Sequence, residues 1–401
     1  MKILHTADLH LGKIFYEQSL VEDQEAMLED LARLLEKGSY AALIVAGDVY
    51  DRSIPSPDAV SQFGRFLERV KNLRPSPEVF VIPGNHDSAS RLGFGRELFA
   101  RLGIRFGVSA EECDKPVILE RNGEICAFFM LPFLNPGTLS TTENGESIPL
   151  RSQSAMAEEA AKRMEKTRRD LEAKQGVSFS VLTAHLFTFG GKESESERVF
   201  LGNAELVSSQ LFTGFNYTAL GHLHRCQSAG ENAWYPGSPL AYSFDEAGQE
   251  KYFLSVELGK DETKIEKIPI KPRRKVTSLS GPFTRFAGDS LKNTNAPNTT
   301  EDPELLAASG DYLEIRLSDR GITENARDIL RKRFPYLLSL KQDEAKAAFS
   351  STARMPASGA RQNIPEDFKY FLESLYGEAD QEELDLFNCL LKEIEAEESA
   401  S

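Results

Sequence analysis

Histidine is scarce in this chain, with six among 401 residues. Cysteine is scarcer, and Cys113, Cys126, Cys226 and Cys389 show no CxxC spacing, so neither a redox pair nor a cysteine nucleophile is indicated. That sparse, unpatterned usage fits a reducing compartment. No Gly-x-Ser-x-Gly elbow occurs, which removes the corresponding serine nucleophile. No apolar run approaches the ~20 residues of a membrane span. The opening residues read as a strand, without a charged-then-apolar leader. A cytoplasmic chain with no membrane contact is therefore expected. Basic charge is also short: 47 Lys and Arg stand against 62 Asp and Glu, a net charge of −15, opposite to the usual footprint of a nucleic-acid binder. The deficit is local, because residues 366–398 alone carry a net −10. The remainder holds two basic clusters, Lys271, Arg273, Arg274, Lys275 and Arg331, Lys332, Arg333, which suit phosphate contact or an ordinary solvated surface equally well.

The few histidines are not scattered. Five of the six fall in short blocks rich in Asp, Asn and Gly: Asp8-Leu9-His10, Gly47-Asp48-Val49-Tyr50-Asp51, Gly84-Asn85-His86-Asp87, Ala184-His185 and Gly221-His222-Leu223-His224. Each block alone is an ordinary turn, since these residues tolerate positive φ or bond their own backbone. Four of them, however, follow apolar runs of strand length, at residues 1–4, 41–46, 79–82 and 179–182. In an open α/β sheet the carboxyl ends of the strands form the ligand crevice, so blocks distant in sequence can converge there. Neutral imidazole with carboxylate and amide oxygen is a donor set for two divalent cations of the Mn, Zn or Fe kind, and paired metals serve phosphoester hydrolysis. His5 lies inside the first strand pattern and reads as a structural histidine. Cys226 reads as a small buried hydrophobe.

The ordered set DLH, GDVYD, GNHD, AH and GHLH resembles the calcineurin-like metallophosphoesterase superfamily. The opening residues 2–12 and Trp234-Tyr235-Pro236-Gly237-Ser238-Pro239 resemble the SbcD-type nuclease subunits of bacterial SbcCD complexes. The resemblance implies an α/β fold, a layered sheet sandwich flanked by helices. It implies that Asp8, His10 and His224 hold one metal, that Asn85, His185 and His222 hold the other, and that Asp48 bridges them. His86 would be a nonligand general acid, with Asp51 orienting its ring. The implied cofactor is a pair of Mn2+ ions, which would activate a water for in-line attack on phosphorus. The implied activity is exonuclease and endonuclease cleavage of DNA ends and hairpins. A metallophosphatase or cyclic-nucleotide phosphodiesterase on the same fold is the alternative.

The layout along the chain extends this expectation. Residues 1–275 read as the phosphoesterase domain, with a helix over 154–175 preceded by a polar loop over 135–152. Residues 276–345 read as a small α+β capping domain with strands at 276–279 and 312–317, a helix at 325–333, and a mobile segment over 290–303. Residues 346–364 read as a linker and 365–401 as an acidic helical tail. Phe368, Phe371, Leu372, Leu375 and Tyr376 form one apolar stripe that Gly377 can end, and Leu384, Phe387, Leu391 and Ile394 form another. In the family such a tail docks on the coiled coil of an SbcC-type ATPase, and the absence of a Walker sequence assigns any ATP dependence to that partner. SbcD-type subunits also pair as homodimers within a heterotetramer. The amphipathic stretches 24–36 and 59–70 are the candidates for that contact, unless they pack wholly on the sheet.

Overall fold

The structure is a computed structural model. It describes residues 1–143, 145–188, 206–260, 262–288, 302–319, 325–342 and 380–400, together with 365, 366, 368, 369, 372 and 373. The chain begins with β1 (Lys2–Thr6), a hairpin of β2 (Ile14–Phe15) and β3 (Gln18–Ser19), α1 (Val21–Lys37), β4 (Ala42–Ala46), α2 (Pro57–Asn72) and β5 (Glu78–Ile82). Then come α3 (Ala89–Leu92), α4 (Arg96–Arg101), β6 (Ile104–Phe106), β7 (Val117–Arg121) and β8 (Glu124–Leu131). A hairpin of β9 (Ser140–Glu143) and β10 (Glu146–Pro149) leads to α5 (Gln153–Gln175), β11 (Phe179–His185), β12 (Tyr217–Gly221), β13 (Gln227–Ser228), β14 (Ala233–Tyr235), β15 (Tyr252–Glu257) and β16 (Lys264–Pro269).

Two six-stranded sheets form from these, one in the order β16-β15-β1-β4-β5-β6 and the other in the order β13-β14-β12-β11-β8-β7. Each has a parallel run, β1-β4-β5-β6 and β14-β12-β11-β8, with antiparallel strands on one side of the first sheet and on both sides of the second. Strands β4 and β11 are apolar on both faces because both faces are covered: the inner faces meet each other and the outer faces carry helices. Ile3, Ile44, Phe80, Phe128, Val181, Tyr217 and Val256 fill the layer between the sheets. At its centre Phe80 and Phe128, one from each sheet, stack with centroids 4.2 Å apart and planes at 11°. His5 spans the same layer, with Nδ1 2.8 Å from the Tyr217 hydroxyl, the structural role expected of it.

Helix α2 starts where Ser56 accepts the amide of Ala59 and Pro57 occupies the first turn. Its Phe63, Phe66, Leu67 and Val70, with Met27, Leu28, Leu31 and Leu35 of α1, are buried against the first sheet. Of the two readings of these stripes, packing on the sheet is the one observed within this chain; Leu34 is partly buried and Val60 is exposed. On the far side, Met156, Ala157, Ala160 and Met164 of α5 cover the second sheet. The stretch expected as a plain loop before α5 contains the hairpin β9–β10, in which Thr141 pairs with Ile148 and Thr142 with Ser147.

Beyond these come β17 (Val276–Gly281), α6 (Phe283–Ala287), α7 (Pro303–Ala308), β18 (Tyr312–Leu317), α8 (Ala326–Arg333), β19 (Leu337–Gln342) and α9 (Gln381–Ala400). β17, β18 and β19 form a three-stranded sheet in that order. The chain divides into two compact units, one of residues 1–279, 295–314 and 330–339, the other of 280–294, 315–329 and 340–401. Within the second, the Phe368 and Phe387 rings stack at 3.8 Å. The expected linker, most of the expected mobile segment, and Phe371, Leu375, Tyr376 and Gly377 lie outside the described residues. Among the described residues, no helix is long and apolar enough to cross a membrane.

Candidate metal centre

Each histidine block closes or follows a strand, and the strands are neighbours. Asp8 and His10 follow β1, Asp48 follows β4, and Asn85 and His86 follow β5, all parallel strands of the first sheet. His185 closes β11, while His222 and His224 follow β12, its parallel neighbour in the second sheet. The carboxyl edges of both sheets thus deliver side chains to one place. Four of these residues adopt the left-handed backbone that side chains avoid: Asp8 (φ 54°), His10 (φ 44°), Asp48 (φ 47°) and His222 (φ 113°). Such strain persists where the surroundings over-determine it, and it marks functional sites. Two glycines admit the crowding. A Cβ on Gly84 would lie 2.1 Å from Asp48 Oδ1, and one on Gly47 would lie 2.1 Å from His185 Nδ1.

The donor atoms converge. His10 Nε2 and His224 Nε2 face each other at 3.2 Å. Asn85 Oδ1 lies 3.0 Å from His185 Nε2 and 3.1 Å from His222 Nδ1. Asp48 Oδ2 is 3.8 Å from His10 Nε2 and 3.5 Å from His185 Nε2, so one carboxylate stands between the two groups. Asp8 accepts the main-chain amide of His222. Three overlapping groups, Asp8–His10–His224, His10–Asp48–His86 and Asp8–Asp48–His185, each place their donor atoms within 4.8 Å of one another.

Burial sets the charge. It drives His10 down to about 4 and His222 to about 3, and it also lowers His185, so these rings are neutral at pH 7 with a lone pair to offer. Burial pushes Asp48 the other way, but His185, His86 and His10 outweigh it and hold the carboxyl well below its ordinary range. Neutral imidazoles around an ionised, buried carboxylate fit a divalent cation pair.

His86 joins this cluster, its ring centroid 4.7 Å from that of His10. Its amide donates to Asp48 Oδ1 at 2.9 Å, and its ring Nδ1 lies 2.9 Å from the main-chain carbonyl of Asp51. Asp51 therefore reaches this ring through its backbone. Its carboxylate turns instead to Lys13 Nζ at 2.9 Å and His10 Nδ1 at 3.5 Å, where those contacts overcome burial and hold it at about 2.

Sequence reasoning missed the residues that hold these loops. Asp87 accepts the amides of Val49, Tyr50 and Gly84 at 3.0, 2.9 and 3.0 Å, tying the Asp48 loop to the Asn85 loop. Buried Gln24 donates to the His10 carbonyl at 2.7 Å, and Tyr242 donates to Leu9 O. Glu246 Oε1 meets His224 Nδ1 at 3.2 Å. Asp87 had a signal in the GNHD block; the others lie on helices and loops whose contacts span up to 233 residues. Of the first basic cluster, Arg273 pairs with Glu22 and Arg274 with Asp23, so both are partly neutralised on the chain itself. Cys226 packs at the margin of the layer between the sheets, apart from the three donor groups.

Comparison with known proteins shows the family. Residues 1–226 match the model of the calcineurin-like phosphoesterase family. The SbcD subunit of the SbcCD nuclease from Staphylococcus epidermidis is 31% identical over 343 residues, covering 85% of each chain. The protein of the same name from Staphylococcus saprophyticus subsp. saprophyticus is 29% identical over 342 residues, covering 85% of this chain and 84% of that one.

Proposed function

Because the chain belongs to the calcineurin-like phosphoesterases, in the branch of the SbcD subunits of SbcCD nucleases, we propose that it is a two-metal DNA phosphodiesterase acting within an SbcCD-like complex. The observation that carries this reading is Asp48, whose carboxylate stands between imidazoles of both sheets. Asp8, His10 and His224 would hold one cation, Asn85, His185 and His222 the other, and Asp48 would bridge them. Two cations so held, Mn2+ in our reading, would neutralise phosphate charge and supply an activated water.

The chain's own residues do the rest. Asp87 and Gln24 fix the loops that carry the ligands, and Asn85 Oδ1 converges with the ring nitrogens of His185 and His222 on one point. His86, with Nδ1 anchored on Asp51 O, presents Nε2 as the acid for the leaving oxygen. We assign the 276–345 region to the DNA path and the 365–401 tail to an SbcC-type ATPase. Leu386 and Leu390 on α9 are 63% and 50% exposed and support that second assignment. A homodimer would use a different surface from α1 and α2. Phe94, Leu98 and Leu102, at four-residue spacing across α4, are 83%, 67% and 62% exposed. We place the protein in the cytoplasm.

The deciding assay compares Mn2+-dependent cleavage of duplex DNA ends by the complex with an SbcC-type ATPase against hydrolysis of a small phosphodiester by the chain alone. A chain that hydrolyses the small ester but never cuts DNA in that complex would be a phosphodiesterase of another kind.

A further inference from the structure

His224 is held from behind at two points. Its ring Nδ1 meets Glu246 Oε1 at 3.2 Å, and its main-chain carbonyl accepts from Lys251 Nζ at 3.0 Å. These two residues are themselves an ion pair through Glu246 Oε2, and both are buried, at 1% and 6% exposure. Ser238 completes the group: its hydroxyl lies 3.2 Å from Glu246 Oε2 and 3.0 Å from Lys251 Nζ. The Tyr242 amide and Ser243 hydroxyl add donors to Oε1, at 3.3 and 3.1 Å. Gly237 (φ 81°) presses on the same carbonyl, where a Cβ would lie 2.5 Å from His224 O. The segment 234–239 thus forms part of the wall behind one metal-ligand candidate.

A buried ion pair is weak evidence for stability, because desolvation offsets most of its attraction. Its placement against a candidate ligand calls for another role. We propose that Glu246 and Lys251 are positioning residues for His224: the carboxylate accepts a hydrogen bond from Nδ1–H, which keeps the proton on Nδ1 and leaves the Nε2 lone pair directed at the cation, while Lys251 holds carboxylate and carbonyl in register. His10 Nδ1 lies 3.5 Å from Asp51 Oδ1, and its Nε2 faces that of His224 at 3.2 Å. Carboxylates behind ligating imidazoles fix tautomer and ring angle, and their loss costs about 10–100-fold in metal affinity.

This inference rests on His224 being a ligand, so its test keeps the two apart. With six histidines in the chain, selective ¹⁵N-histidine labelling gives a spectrum that single substitutions can assign. In metal-free wild type, His224 should carry its proton on Nδ1; a proton on Nε2 overturns the proposal. In Glu246→Gln, Mn2+ titration should show one of two sites weakened about 10–100-fold, with Lys251→Met a milder copy and the far-UV circular dichroism retained. If His224→Ala loses a metal while Glu246→Gln binds both as wild type does, the positioning role fails and the ligand assignment stands. If His224→Ala keeps both metals, the ligand assignment itself fails and the proposal falls with it.

Discussion

Asp48 and His185 arrive from different sheets, yet Asp48 Oδ2 lies 3.5 Å from His185 Nε2. The same oxygen lies 3.8 Å from His10 Nε2 in its own sheet, so the carboxylate is common to both sets of donors. The contact exists because the sandwich brings the carboxyl edges of β4 and β11 together, with Ala46 O taking His185 Nδ1 at 2.9 Å. Everything proposed for the chemistry depends on that meeting of edges.

His86 is assigned as an acid and not a ligand. His86→Gln should therefore retain two bound metals and lose about 10²–10⁴-fold in phosphodiester cleavage. Loss of a metal by elemental analysis would move His86 into the coordination sphere. Asp51→Asn should spare the contact to His86, which is made by the backbone, and should weaken metal binding on the His10 side instead.

The layer between the sheets sets the stability of the site. Phe80 and Phe128 are both fully buried there, and Phe128→Ala should cost about 3–5 kcal/mol. A lower urea midpoint with an unchanged slope would show this; a cost under about 1 kcal/mol would mean that the sheets do not meet there.

Much of this arrangement is legible in the amino-acid sequence. The strand-like runs before Asp8, Asp48, Asn85 and His185 became β1, β4, β5 and β11, because buried parallel strands are apolar on both faces and announce themselves. The donor residues are legible for the same reason: they sit directly after those runs. The supports are not. Glu246, Gln24 and Tyr242 act through contacts with residues 22, 14 and 233 positions away, and no local pattern distinguishes them from other polar or aromatic positions. The stripe of Phe94, Leu98 and Leu102 was missed because short helices give little periodicity, whereas the strong stripes of α1 and α2 belong to the core.

That stripe yields a prediction about assembly. The wild type should be a dimer by light scattering at micromolar concentration, and Leu98→Glu should make it monomeric with hydrolysis of a small phosphodiester intact. A wild-type monomer under those conditions counts against the pairing surface.

The tail should be separable from the chemistry. All the assigned ligands precede residue 225, so a chain ending at Asn363 should bind metal and hydrolyse a small phosphodiester as the full chain does. It should fail to capture an SbcC-type ATPase in a pull-down. Undiminished capture would assign the docking to another surface.

The most direct measurement is metal stoichiometry in Asp48→Ala, paired with hydrolysis of bis(p-nitrophenyl) phosphate in Mn2+. The account predicts that both metals weaken together and that hydrolysis collapses while the thermal transition remains cooperative. Two metals bound as tightly as in wild type, or near-wild-type hydrolysis, would contradict a centre bridged by Asp48.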